Sequence, residues 1–214
     1  MLVAERMSRE PITISRDTPV PDALKLMRDR KVRRLPVVDS KGRPIGIVSE
    51  KDLLYASPSP ATTLSIYEMQ YLLSKISVME VMTSKLITVT DDATLEEAAR
   101  LMIDNQIGGL PVVHGDKLVG IITETDIFKI FLELLGGWEH GIRLTILVPD
   151  EKGLLCRLTE QIADLNGNII SLGTFLGDNP SNRKITLKVA GVDQDTLVKT
   201  IQPIVLEIID VRST

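Results

Sequence analysis

Apolar positions along this chain alternate between helical and strand spacing, and the same order of spacings occurs twice. Val20, Ala23, Leu24 and Met27 recur at three- and four-residue intervals, which predicts a helix with one apolar face. Pro21 and Asp22 suit the first turn of that helix. Further on, Thr94-x-x-Glu97 has the form of a capping box, and Leu95, Ala98, Ala99 and Met102 share one face behind it. Each helix follows a short strand candidate, at 12–14 and at 87–89. Each precedes two apolar strand candidates around a turn, 35–38 with 45–48 and 110–113 with 118–122. The predicted order is β-α-β-β-α in both copies.

The repetition extends to individual residues. Met7-Ser8 returns as Met82-Thr83, Ile12-Thr13-Ile14 as Ile87-Thr88-Val89, and Leu35-Pro36-Val37-Val38 as Leu110-Pro111-Val112-Val113. The turn Asp39-Ser40-Lys41-Gly42-Arg43-Pro44 is one residue longer than its counterpart, so the offset slips once there. Several matches at one offset with a single slip in a turn mark a duplication. Both copies close on one phrase, Gly46-Ile47-Val48-Ser49-Glu50-Lys51-Asp52 and Gly120-Ile121-Ile122-Thr123-Glu124-Thr125-Asp126. Each phrase is a buried strand ending in a hydroxyl, with an acid three residues later. Two readings stand. Ser49-x-x-Asp52 and Thr123-x-x-Asp126 are plain helix caps, contributing about 1 kcal/mol each. Alternatively, the same geometry forms a phosphate- and ribose-binding wall at a helix N-terminus.

Between the copies, Ser57-Pro58-Ser59-Pro60-Ala61-Thr62-Thr63 reads as a turn or linker. Residues 64–76 then predict a helix with Ile66, Met69, Leu73 and Ile76 on one face and Tyr67 and Tyr71 on a neighbouring stripe, packed in a core or an interface. Residues 126–135 predict a helix apolar on two faces, which calls for burial on more than one side and so for a homodimer. After Gly136-Gly137 the repeat does not return. Residues 140–214 predict β-α-β-β-α-β, the split ferredoxin-like order. The helix at 153–165 presents Leu155, Leu158, Ile162 and Leu165 on one face and stops at Asn166-Gly167. Trp138 and His140 are expected to pack at the joint. The resulting division is 1–60, a helix-bearing linker at 61–77, 78–136 and 140–214, in an α+β fold.

Composition narrows the chemistry. A net charge of −4 argues against general binding of a phosphate backbone, and 3% aromatic residues are too few for base-stacking platforms. The single cysteine, Cys156, cannot form an intrachain disulfide and has no neighbouring base in sequence; it reads as inert. His114 and His140 are too few for a zinc constellation, so no metal site is expected. The first residues lack the layout of a signal peptide and no apolar stretch reaches the roughly 20 residues of a membrane span, which predicts a cytoplasmic protein. No nucleophile–base set or Walker-type loop is present, so no catalysis is expected.

The paired L-P-V-V strands and G-h-h-[ST]-x-x-D endings resemble a tandem cystathionine-β-synthase (CBS) domain pair, a Bateman module. The stretch Pro149-Asp150-Glu151-Lys152-Gly153-Leu154-Leu155, with Gly167-Asn168-Ile169, resembles an ACT domain. The layout is similar to that of the acetoin-utilisation regulator (AcuB-like) group. The first resemblance implies a regulatory adenine nucleotide, with no catalytic cofactor. Ser49 and Thr123 would contact phosphate and Asp52 and Asp126 ribose, beside Ile47 and Ile121. Ile12-Thr13 and Ile87-Thr88 would read the base, completed by the loops Val32-Arg33-Arg34 and Ile107-Gly108-Gly109. The loops differ: Arg28, Arg30, Lys31, Arg33 and Arg34 are matched in the second copy by Ile103, Asn105, Gln106, Gly108 and Gly109. That basic run is either a solvated face or a set of phosphate partners, in which case the two sites are unequal and the Gly-Gly leaves room in the other loop. The second resemblance implies an amino-acid ligand between paired copies, held by Asp150, Gly153, Leu154 and Asn168. The alternative is that Gly153 and Gly167 only serve the turn and the cap. An unidentified protein would be the regulated partner; otherwise the chain is a dimeric scaffold whose clefts stay empty.

Overall fold

The computed structural model describes residues 1–56 and 65–214, with the side chains of Ile66, Met69 and Gln70 left aside. The Pro/Ser linker at 57–63 and Leu64 therefore lie outside the described residues, as do the Ile66 and Met69 side chains expected on the helix face. The chain divides into two compact units, Met1–Ile127 and Phe128–Thr214.

The first unit opens with a helical turn, α1 (Val3–Arg6), and a short strand, β1 (Ser8–Arg9). The first repeat follows as α2 (Val20–Arg30), β2 (Arg34–Val38), β3 (Pro44–Ser49) and α3 (Glu50–Tyr55). After α4 (Ile66–Leu73) and the turn α5 (Val78–Val81) comes the second, as β4 (Val89–Thr90), α6 (Leu95–Asn105), β5 (Gly109–His114), β6 (Lys117–Thr123) and α7 (Glu124–Leu134). The predicted helical faces are the buried ones: Val20, Ala23, Leu24 and Met27 on α2, Leu95, Ala98 and Met102 on α6. Both helices end on a left-handed residue at the same repeat position, Lys31 (φ 54) and Gln106 (φ 54), whose N–H turns back to Met27 and Met102. The hairpins share one register, with Leu35 opposite Val48 and Val37 opposite Gly46, then Leu110 opposite Ile122 and Val112 opposite Gly120.

The leading strands are shorter than expected. Residues 12–14 reduce to one parallel bridge, Ile14 to Val37, and 87–89 to the two residues of β4 paired with Val112 and Val113. Instead, each repeat takes its outer pairing from the segment that leads the other. β1 lies antiparallel to β6, with Ser8 opposite Ile121, while Thr83 bridges Ile47 in the first repeat. The turns cross over likewise. The Val3 and Ala4 amides donate to Ala93 and Asp91, and the Val78 and Met79 amides donate to Thr18 and Arg16. Val78 is fully buried in the first repeat's core, beside Met27, Leu35 and Leu53. Tyr67 and Tyr71 on α4 are 84% and 63% exposed, so the expected packing of this stripe is not made within the chain.

The second unit holds β7 (Ile142–Pro149), α8 (Leu154–Asp164), β8 (Asn168–Leu176), β9 (Asn182–Ala190), α9 (Gln194–Ile201) and β10 (Glu207–Ser213), with a 3-10 turn at Gln202–Ile204. The antiparallel sheet runs β10-β7-β9-β8. One face of it, including Leu144, Ile146, Ile185 and Leu187, packs on Leu154, Leu158 and Ile162 of α8 and Leu197 and Ile201 of α9. Leu155, expected on the apolar face, is 43% exposed; Leu154 takes its place, because the helix begins one residue after Gly153 and its 154–158–162 row faces the sheet. Asn166 (φ 58) supplies the left-handed residue after α8. Gly167 is needed for closeness instead, since a Cβ there would stand 2.9 Å from both Ile162 and Val192. On the other face Lys188, 4% exposed, extends its ammonium to the carbonyls of Gly136 (2.9 Å) and Glu139. Trp138 is 71% exposed rather than packed at the joint, and His140 Nδ1 lies 3.3 Å from the Thr214 carbonyl. Among the described residues no helix is long and apolar enough to cross a membrane.

Candidate functional site

Crossing of the leading segments leaves two clefts in the first unit, each walled by one repeat's hydroxyl–acid cap and the other repeat's loop. Cleft one, of about 430 Å³, joins Ile12 and the Lys31–Val32–Arg33–Arg34 loop of the first repeat to Ile121, Thr123, Thr125 and Asp126 of the second. Cleft two, of about 270 Å³, joins Ile47, Ser49 and Asp52 to Ile87 and the Gln106–Ile107–Gly108–Gly109 loop. The two phrases thus wall separate clefts. Both volumes are of the order of small-molecule sites, roughly 300–1,000 Å³.

The caps form as the sequence predicts. The Ser49 amide and hydroxyl donate to Asp52 Oδ2 at 2.8 and 2.7 Å, and the Asp52 amide donates back to Ser49 Oγ at 3.3 Å. The Thr123 amide and hydroxyl donate to Asp126 Oδ2 at 2.9 and 2.7 Å. Both bonds to Asp52 fall on Oδ2, so Oδ1 is the oxygen that can meet a further donor. Each cap is half-buried at the start of its helix, where the first amide is already paired: Glu50 N–H donates to the Arg33 carbonyl at 3.0 Å and Glu124 N–H to the Gly108 carbonyl at 3.2 Å.

Charge separates the clefts. Arg9, Lys31, Arg33 and Arg34 line the first against Glu10 and Asp126; Arg34 and Lys85 line the second against Asp52. Arg33 is exposed and Arg34 half-buried. The room expected beside Gly108-Gly109 is filled by Arg34. A Cβ on Gly108 would overlap its Nη2, and one on Gly109 would stand 3.2 Å from its Cδ.

Of the expected site residues, the structure brings Ile12, Val32, Arg33, Arg34, Ile121, Thr123 and Asp126 together in cleft one, and Ile47, Ser49, Asp52, Ile87, Ile107 and Gly108 in cleft two. Thr13 and Thr88 are not brought in. Thr13 lines a separate groove with Ser15, Arg16 and Asp39, because the chain alternates at this step and carries it away from Ile12. Ser8, Arg9, Glu10, Pro11, Pro36 and Thr125 in the first cleft, and Thr83, Lys85, Leu86, Gln106 and Pro111 in the second, were not expected, whereas Gly109 of the expected loop does line the second. The match of Met7-Ser8 with Met82-Thr83 was the available signal, since it shows that each repeated unit starts before its first strand.

The expected ligand set of the second unit does not assemble within one chain. Gly153 (φ 81) opens α8 with open space around its α-carbon, and the exposed Asp150 accepts from Arg183 Nε at 3.0 Å. Leu154 is buried in the core. Asn168 pairs with Ala190, whereas Pro149 pairs with Asn182 at the other end of β9. Eight steps of strand put these ends roughly 27 Å apart.

Two family models match this chain: the CBS domain at residues 3–59 and 78–133, and the TTHA0829-like ACT domain at 140–212. The CBS matches alone cover more than half of the chain, and it belongs to the CBS-domain family, here combined with a C-terminal ACT domain. Both are regulatory modules. An uncharacterized Methanocaldococcus jannaschii protein, MJ1404, is 37% identical over 162 residues, 73% of this chain and 38% of its own length. This chain therefore spans well under half of that relative. The crystal structure of a Vibrio cholerae protein assigned to acetoin utilization (AcuB) is 36% identical, with a TM-score of 0.52 over 63% of this chain and 92% of the other. The structure of CBSX2, a chloroplast protein of Arabidopsis thaliana, in complex with AMP is 34% identical, with a TM-score of 0.50 over 61% and 96% of the two chains.

Proposed function

We propose that this protein is a non-catalytic regulator that binds adenine nucleotides in the two clefts between its CBS repeats. The observation that carries this reading is the crossed pairing, made twice, of a hydroxyl–carboxylate cap with the opposite repeat's loop. A nucleotide has three parts to satisfy. Asp52 Oδ1 and the Asp126 carboxylate suit vicinal ribose hydroxyls, and the Ser49 and Thr123 hydroxyls with the cations lining each cleft suit phosphate. Ile12 with Val32, and Ile87 with Ile107, supply apolar walls for a base. The AMP held by CBSX2 supports the same ligand class here. The cationic excess of cleft one favours more phosphates there than in cleft two.

The protein would act in the cytoplasm as a homodimer, with the nucleotide biasing the repeats between two states and an unidentified partner reading the outcome. Such coupling requires an affinity difference between those states. The amino-acid role of the ACT domain requires a second copy to bring an Asn168 to Asp150 and Gly153. A scaffold without ligand is the second reading, favoured by the exposed Phe128, Phe131 and Leu134.

A thermal-shift panel of AMP, ADP, ATP, S-adenosylmethionine and amino acids tests this. A ligand at 100 times its dissociation constant adds about 2.7 kcal/mol to stability. Stabilisation by an adenine nucleotide, lost in the Asp52→Ala/Asp126→Ala double variant, is the expected result. No shift with any adenosine compound would leave the scaffold. Arg33→Ala is expected to reduce the preference for ADP and ATP over AMP; an unchanged preference would remove Arg33 from phosphate binding.

A further inference from the structure

We propose that Arg34 is a single phosphate-binding arm shared by the two clefts, so that a phosphate held in one lowers the affinity of the other for a second. The inference rests on the adenine-nucleotide reading and deepens it. Arg34 is the residue common to both cleft linings. It sits at the start of β2, directly opposite Ser49, the hydroxyl that caps cleft two. Its stem leaves the loop that walls cleft one. The duplication places Gly109 at the equivalent position, opposite Thr123, so no second arm exists for the related site.

The side chain rests across the two glycines. Its Nη2 occupies the place of a Cβ on Gly108, and Glu124 Oε2 stands 2.7 Å from that same place. Glu124 follows Thr123, the cap of cleft one. The guanidinium is therefore stationed between the two caps, on a half-buried residue with a long flexible stem. A guanidinium forks onto a phosphate with two parallel hydrogen bonds, and one fork commits to one phosphate at a time. Cleft one, with more cations, fills first. A phosphate there recruits Arg34, and cleft two then binds with Lys85 as its one remaining lining cation. Coupling through one such contact falls in the usual range for linked sites, about 5- to 150-fold.

The test is calorimetric titration of the full chain with ADP and, as a probe without phosphate, adenosine. Asp126→Ala disables the ribose contact of cleft one and isolates cleft two. ADP is expected to bind Asp126→Ala about 5- to 150-fold more tightly than it binds in the second step of the unaltered chain. That ratio should fall to near one when Arg34→Gln is introduced into both proteins, and adenosine should show a ratio near one throughout. Arg34→Lys keeps the stem and charge without the fork, and should give an intermediate ratio if Arg34→Gln fails to fold. A ratio near one for ADP in the unaltered background, or one that survives the Arg34 substitutions, overturns the shared arm while leaving nucleotide binding intact. Failure of both adenosine and ADP to bind overturns the nucleotide reading and the arm with it.

Discussion

At Gly46 a Cβ would stand 2.6 Å from Met82 Sδ and 3.1 Å from the Thr83 carbonyl oxygen. Gly120 meets Met7 in the same way, with the Ser8 carbonyl oxygen at 3.1 Å. These glycines open the two repeated phrases, and their reason is close approach rather than backbone freedom. Each leaves a gap that the other repeat's leading methionine fills. Gly46→Ala and Gly120→Ala are each expected to cost about 1–3 kcal/mol, as overpacking does, since a flexible thioether can yield but the strand carbonyl cannot move far. Denaturant unfolding measures this; a neutral result at both positions would show that the leading segments are not held as tightly as they are placed. At this scale the sequence displayed the cap fully, because Ser49-x-x-Asp52 is satisfied within four residues. It concealed the glycine's partner, which lies 36 residues away at Met82.

Among the described elements, α7 leaves a side of large apolar residues uncovered, as α4 does with Tyr67 and Tyr71. Ile130 is buried, but Phe128, Phe131 and Leu134 are 66%, 51% and 60% exposed. These three recur at every third residue, so they form one side of the helix. In the proposed homodimer this side meets its own copy. Phe128→Ser/Phe131→Ser is expected to weaken self-association at least about tenfold, given 1.5–3 kcal/mol for burying a large apolar side chain. Sedimentation against concentration checks it, and a monomeric unaltered chain would sink the dimer. The apolar count of this helix was legible in sequence. Which of its residues the chain itself covers was not, because burial on one side depends on elements far along the chain.

Across the whole molecule, three aspartates are held as carboxylates by neighbouring donors. The Asp39 carboxyl is held below its ordinary 3.8 by hydrogen bonds from the Arg43 amide and side chain, Asp193 by the Thr196 amide and hydroxyl, and Asp210 by the Arg212 guanidinium. For an acid with a depressed folded value, the folded state binds fewer protons than the unfolded one. The stabilisation is present above 3.8 and is lost as pH falls through the depressed value. The unfolding midpoint is therefore expected to be insensitive to these three groups above about pH 5 and to drop below about pH 4. Asp193→Asn should flatten part of that acid limb while keeping a capping side chain; an unchanged limb would mean that other groups control it. The three acids belong to a turn, a helix cap and an edge strand, so both units contribute to the effect.

The duplication, the caps, the order of strands and helices and the asymmetry between Arg33-Arg34 and Gly108-Gly109 were all present in the sequence. Each depends on neighbours a few residues apart or on a comparison of one copy with the other. What the tertiary structure decided is how the copies meet. The exchange of leading segments sets each cap against the opposite loop, which forms two separate clefts, and lays Arg34 across the glycines of its own duplicate. These contacts join residues far apart in the chain, 36 positions for Ile47 with Thr83 and 113 for Ser8 with Ile121, and no local periodicity encodes them.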